Sequence, residues 1–150
     1  ICSGRPQPGA MEIPINLQYA ETELGDLSVD LPEPFAADTE SIEQAIAAIK
    51  GSRKRVILAG GGIGKAGASE ALSALAVKLD APVITTPNGK GALRDDHPLL
   101  MGPLLLSRPI LNAVQDADLM IAVGTRFQAG VAGGQVAMPM PKMVHIETGR

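Results

Sequence analysis

Apolar and polar positions follow two rhythms along this chain, and the sharpest change between them falls at residues 55–67, RVILAGGGIGKAG. Val56, Ile57, Leu58 and Ala59 are a continuous apolar run with branched side chains, the pattern of a parallel strand covered on both faces. Gly60, Gly61, Gly62 and Gly64 interrupt it, after which Ala68, Leu72, Leu75, Ala76 and Leu79 recur at helical spacing. A strand, a glycine turn and a helix over 68–79 are therefore predicted. Upstream, Ile42, Ala45, Ile46 and Ile49 form one helical stripe, opened by a cap at Asp38, Thr39 or Ser41 and closed by Gly51. Arg53, Lys54 and Arg55 follow it and read as a solvated cap for its negative dipole end. Downstream, strands are predicted at 82–86, 119–123 and 142–147, with a helix before the second of these that Ser107 caps and Pro109 enters. Strands alternating with helices in this way predict an α/β domain with a doubly wound parallel sheet, Rossmann-like and three-layered.

The first 38 residues lack this order. Residues 10–15, AMEIPI, read as a brief extended segment in which Pro14 argues against a central strand. From 16 to 38 no period is sustained, and Gly25, Pro32 and Pro34 mark an exposed linker. The chain opens on Ile1 without a methionine, so it is expected to be a piece of a larger protein.

Composition then narrows the function classes. Hydrophobic residues make up 45% but aromatics only 2%, which requires an aliphatic core of the kind helices build on a sheet. A net charge of −3, with no basic run or aromatic platform, excludes nucleic acid as the expected partner. Cys2 is the only cysteine and no Cys/His cluster has zinc spacing, which fits a reducing cytoplasm. The most apolar stretch, 99–106, is broken by Gly102 and Pro103 and is short of the ~20 residues a membrane span needs.

Candidate chemistry gathers after the strands. Glycines let backbone approach a ligand closely, and a following helix offers free N–H groups to an anion. Gly62, Gly64 and Gly67 also fit G-x-G-x-x-G, although the strand at 82–86 ends in Thr85 and Thr86 where a ribose-binding acid would stand. A Walker A reading fails at Ala59 and Ala66. Two readings stay open at this turn: a nucleotide or diphosphate site, or a glycine-rich contact between helix and strand. Gly124-Thr125-Arg126-Phe127 leaves the strand at 119–123 at the same edge, where Arg126 could pair with a phosphate or a carboxylate. Asp95, Asp96 and His97 are consecutive and lack a third ligand, so His97 reads as a hydrogen-bonding loop residue. For His145 a satisfied buried histidine is expected, and for Met138, Met140 and Met143 adaptable packing.

Six segments carry a family resemblance: MEIPINLQ at 11–18, RVILAGGG at 55–62, APVITTPNGKGAL at 81–93, DHPLLMG at 96–102, ADLMIAVGTRF at 117–127 and KMVHIE at 142–147. In this order they resemble the central domain of thiamine-diphosphate-dependent enzymes of the acetolactate synthase, pyruvate oxidase and benzoylformate decarboxylase type, a DHS-type nucleotide-binding fold. The resemblance implies that 1–18 end a preceding pyrimidine-binding domain, 19–38 form a linker and 39–150 are the central domain, cut short at its end. It implies a cytoplasmic parent enzyme, a lyase or transferase acting on a 2-oxo acid by decarboxylation or carboligation. Other domains of a homodimer or homotetramer would hold its thiamine diphosphate and magnesium. The activating glutamate and Gly-Asp-Gly metal motif of such enzymes are not in this stretch, so no catalytic or metal-binding residue is assigned. For the central domain itself, FAD or ADP is implied along the carboxyl edge, with Gly60, Gly61 and Gly62 at the diphosphate, Thr125 and Arg126 beside it and Glu147 near the ribose. The chain departs from flavin-binding synthases at Gln128-Ala129-Gly130, where they carry Asp-Asp-Arg, and at Pro103-Leu104, where they carry His-Gly. Those departures imply instead a non-flavin decarboxylase or carboligase whose central domain is only scaffold. Outside the family, the alternative is an independent nucleotide-binding module, flavoprotein or sirtuin-like, without thiamine chemistry.

Overall fold

Arg55–Ala59 (β1) is the strand the apolar run predicts, and Val56, Ile57, Leu58 and Ala59 are all buried. The computed structural model describes residues 8–28, 36–103, 107–127 and 141–148. Contacts divide the chain into two units, one spanning Ala37–Glu147 and the other the remainder. In the second unit the sole helix among the described residues is Ile15–Gln18 (α1), entered from Pro14. No strand pairs over 10–14, where Pro14 is extended at ψ 143, and Ile15 already belongs to α1.

Within Ala37–Glu147 the chain runs through Thr39–Gly51 (α2), β1, Gly62–Lys65 (α3), Ser69–Leu79 (α4), Val83–Thr85 (β2), Leu100–Pro103 (β3), Arg108–Asp116 (α5), Leu119–Val123 (β4) and Lys142–Ile146 (β5). The five strands form one sheet in the order β3-β2-β1-β4-β5, and every neighbouring pair is parallel. Ile57 stands opposite Val83 on one side and Ile121 on the other, and Ile121 opposite Val144. Because successive side chains point to opposite faces, the strands feed two cores. Ile57, Ala59, Val83 and Ile121 pack with Leu72 and Ala76 of α4, while Val56, Leu58, Ile84 and Met120 pack with Ile110 and Val114 of α5. Helices thus cover both faces, as the doubly wound reading requires.

Two expectations change. The stretch read only as apolar, 99–106, supplies β3, so the strands expected third and fourth are the fourth and fifth. Its pairing shifts register between Val83 and Ile84, and Gly102 adopts φ 99, which breaks the regular pattern a strand leaves in sequence. The helix expected over 68–79 is α4, and the glycine turn before it holds a further single turn, α3, set off from α4 by Gly67 at φ 62. On α2 only part of the predicted stripe is covered, since Ile49 packs on the core whereas Ile42 and Ile46 are exposed. Its start is as read: Asp38 accepts from the Ser41 N–H at 2.8 Å. Met138 and Met140 lie outside the described residues, and Met143 is exposed.

The amino edge of the sheet is tied by charge. Asp118, just before β4, accepts from the backbone N–H groups of Arg53 and Lys54 at 2.8 and 3.1 Å, and its own N–H donates to the Lys54 carbonyl at 2.8 Å. The Arg53 N–H, followed by that of Lys54, holds the Asp118 carboxyl below its ordinary 3.8. Arg55 turns back onto α2, donating to the Ile49 carbonyl at 3.2 Å, to Ser52 Oγ at 2.8 Å and to the Ser52 carbonyl. The cap read from the sequence is therefore made by one specific guanidinium.

Candidate functional site

Loops leaving β1, β2 and β4 converge at the carboxyl edge, at the point where the strand order reverses between β1 and β4. Gly60 N–H donates to the Val123 carbonyl at 2.8 Å, Gly62 N–H to the Gly124 carbonyl at 2.9 Å, and Thr86 N–H to the Ala59 carbonyl at 2.9 Å. Thr86 also accepts from the Gly89 N–H at 3.1 Å, closing a single 3-10 turn over Pro87–Gly89. Side chains are excluded from these contacts. A Cβ at Gly62 would stand 2.7 Å from Gly124 Cα, and one at Gly61 2.9 Å from the Asn88 carbonyl oxygen. At Gly60 it would fall on the Gly124 carbonyl and 2.7 Å from Thr125 Cα, and at Gly89 on the Ala59 carbonyl. Gly124 itself takes φ 62.

The six residues selected from sequence lie at the exits of three adjacent strands. Gly60 and Gly62 touch the β4 exit directly, Thr125 is buried beside Gly60, Arg126 is exposed after it, and Glu147 is half-buried after β5. A nucleotide diphosphate needs N–H donors, and those of Gly60 and Gly62 are engaged by β4. The G-x-G-x-x-G spacing also does not open a long helix here, because Gly62 and Gly64 lie in the one-turn α3. The turn therefore offers a diphosphate neither of those two donors; Thr125, Arg126 and Glu147 stand at the rim of the edge. Gly124, Asn88 and Gly89 complete it, and only their place after apolar strands could have pointed to them.

Between β4 and β5 the edge is held by His145. Its Nε2 lies 2.7 Å from the Thr125 carbonyl, which can only accept, so the proton is on Nε2. The ring meets Phe127 edge to face, with centroids 5.4 Å apart and planes at 70°. The histidine is satisfied as expected, but the residue is exposed rather than buried.

His97 makes a different pair. It accepts from the Leu99 N–H through Nδ1 at 3.2 Å, which leaves Nε2 to donate to Ser73 Oγ at 3.0 Å. A histidine that donates to a serine is not withdrawing its proton, so the pair is a loop anchor. Arg94 grips Asp96 at 3.0 and 2.9 Å and lowers its carboxyl. Ser73, His97 and Arg94 line a cleft of about 340 Å³ with Ser69, Glu70, Ala74 and Leu93, and none of the six selected residues reaches it. Among the described residues no group of three or more His, Cys, Asp or Glu is placed to hold a metal ion. Nor is any described helix long and apolar enough to cross a membrane.

Residues 42–149 match the family described as thiamine pyrophosphate enzyme, central domain. A probable acetolactate synthase large subunit of Methanocaldococcus jannaschii is 36% identical over 97% of this chain and 26% of its own length. The glyoxylate carboligase of Escherichia coli O157:H7 is 34% identical, again over 97% of this chain and 26% of its own. A probable 2-ketoarginine decarboxylase of Pseudomonas aeruginosa is 36% identical over 83% of this chain and 22% of its own. The chain thus spans about a quarter of the length of the curated relatives it matches. In fold it is similar to a solved Mycobacterium smegmatis structure assigned to the thiamin diphosphate-dependent enzymes, at a TM-score of 0.62 and 22% identity, over 84% of this chain and 29% of that one.

Proposed function

The chain belongs to the central-domain family of thiamine pyrophosphate enzymes, and from that premise we propose that it is the structural middle of an enzyme that decarboxylates or ligates 2-oxo acids. The observation that carries this is the carboxyl edge. There the exits of β1, β2 and β4 are packed backbone on backbone, with Gly60 and Gly62 lying on Gly124 and Gly89 on Ala59. In this reading residues 1–18 end a pyrimidine-binding domain, 19–38 link it to the central domain, and 39–150 belong to the latter. The compact unit from Ala37 to Glu147 supports that division. Thiamine diphosphate and magnesium are held by the parent enzyme's other domains, where thiamine supplies the carbanion-stabilising chemistry. The parent is a cytoplasmic homo-oligomer. Matches to a synthase, a carboligase and a decarboxylase support the 2-oxo acid substrate class.

Assay of the full-length protein with a panel of 2-oxo acids tests the proposal. Turnover that requires both thiamine diphosphate and magnesium is expected; a folded protein whose turnover is independent of thiamine diphosphate overturns it.

A second reading is favoured by the rim. Thr125, Arg126 and Glu147 stand at the exits of neighbouring strands beside Gly60, Gly61 and Gly62, the place where open α/β sheets take nucleotides. ADP or FAD is the ligand this predicts. Calorimetry with each should give saturable heat that Arg126→Ala removes; absence of heat in the full-length protein leaves the domain as scaffold.

A further inference from the structure

Leaving β4, the chain makes a hook with two left-handed residues in four, Gly124 at φ 62 and Phe127 at φ 49. Glycine adopts that conformation freely, whereas a phenylalanine stays there only if its surroundings hold it. Three contacts do so. Phe127 N–H donates to Thr125 Oγ1 at 3.3 Å, the His145 Nε2–H donates to the Thr125 carbonyl at 2.7 Å, and the His145 ring meets the Phe127 ring at 5.4 Å. Phe127 also packs against the core that contains Val56, Leu58 and Ile110. The hook rests on Gly60, whose added Cβ would come 2.7 Å from Thr125 Cα. Arg126, which is exposed, stands between Thr125 and Phe127.

We propose that His145 is a positioning residue: reaching across from β5, it fixes the Thr125–Phe127 hook and so sets the backbone from which Arg126 meets a phosphate-bearing ligand at the carboxyl edge. The ligand half of this rests on the nucleotide reading above; the conformational half does not. Strand pairing alone already joins β4 to β5, through the Gly124 N–H to the Ile146 carbonyl at 2.9 Å. His145 adds a bond one residue further out, where no strand pairing holds the hook.

Hydrogen–deuterium exchange by mass spectrometry on the intact protein, followed over the peptide containing residues 124–127, tests the first half. His145→Phe keeps a ring and removes the donor, while His145→Gln restores an N–H at nearly the same reach. Exchange in that peptide should rise at least tenfold in His145→Phe, return close to the wild-type rate in His145→Gln, and leave other peptides and the unfolding midpoint unchanged. Unchanged exchange at 124–127 in His145→Phe would overturn the proposal, as would a rise spread over the whole sheet. Calorimetry with ADP tests the second half: His145→Phe should weaken binding at least tenfold, as Arg126→Ala does, with His145→Gln near wild type. If wild-type protein gives no heat with ADP, the nucleotide reading falls, and the exchange result still decides whether His145 holds the hook.

Discussion

The two ends of β1 are joined to β4 by opposite chemistry. At the amino edge a charged side chain does it: Asp118 takes two backbone N–H groups from Arg53 and Lys54. At the carboxyl edge the joint is made by leaving side chains out, with Gly60 and Gly62 lying directly on Gly124. A hydrogen-bonded carboxylate can be weakened gradually, by an isostere or by acid. Backbone packed on backbone has no such intermediate setting, since a single methyl group must displace a main chain. The two edges should therefore answer mutation and pH differently, although both serve the same pair of strands.

Gly60→Val should have the largest effect. Its side chain would fall on the Gly124 carbonyl and Thr125 Cα, and no soluble folded protein is expected by circular dichroism or gel filtration. A folded variant with native stability would break the contrast. Asp118→Asn should cost less and leave the fold intact, because Asn keeps one acceptor for the Arg53 and Lys54 N–H groups. Its signature is in acid. The Asp118 carboxyl is held below its ordinary 3.8, so its contribution is complete above that value and is lost as pH falls through the lower folded one. Urea midpoints measured from pH 6 down to 2.5 should thus fall less steeply in Asp118→Asn than in wild type. Equal slopes would remove Asp118 from the amino-edge account. At the small end stands Arg94→Ala: Arg94 and its partner Asp96 are both exposed, with side chains 85% and 69% accessible. No measurable change in midpoint is expected from a pair so fully in water, and a clear loss would mean that the loop carrying His97 depends on it.

What was legible in the sequence followed from local pattern. β1 and β4 announce themselves as apolar runs because both faces of a central parallel strand are covered, and α2 shows its cap at Asp38 because capping is settled within three residues. β3 was lost to Gly102 and Pro103, which place a register shift and a left-handed residue inside a strand. The break between α3 and α4 turns on Gly67, whose φ no apolar spacing records. The edges were the hardest to read. Asp118 meets Arg53 and Lys54 from 65 and 64 residues away, and Gly60 meets Gly124 at a similar remove, so neither contact leaves a local trace. The glycine turn could be located from sequence, but its partner could not. That is why both readings of the turn, ligand site and packing contact, stay open in the sequence alone.

The most direct test is equilibrium urea unfolding of two variants that differ by two positions in one turn, Gly62→Ala and Gly64→Ala. A Cβ at Gly62 would stand 2.7 Å from Gly124 Cα, whereas nothing lies within 4 Å of one at Gly64. If the turn exists to seat the β4 exit, Gly62→Ala should lose about 1–3 kcal/mol and Gly64→Ala should be neutral or gain up to about 1 kcal/mol, as alanine does in a helix. Equal effects at the two positions would contradict the account, because the glycines would then be required by the turn itself and not by what rests on it.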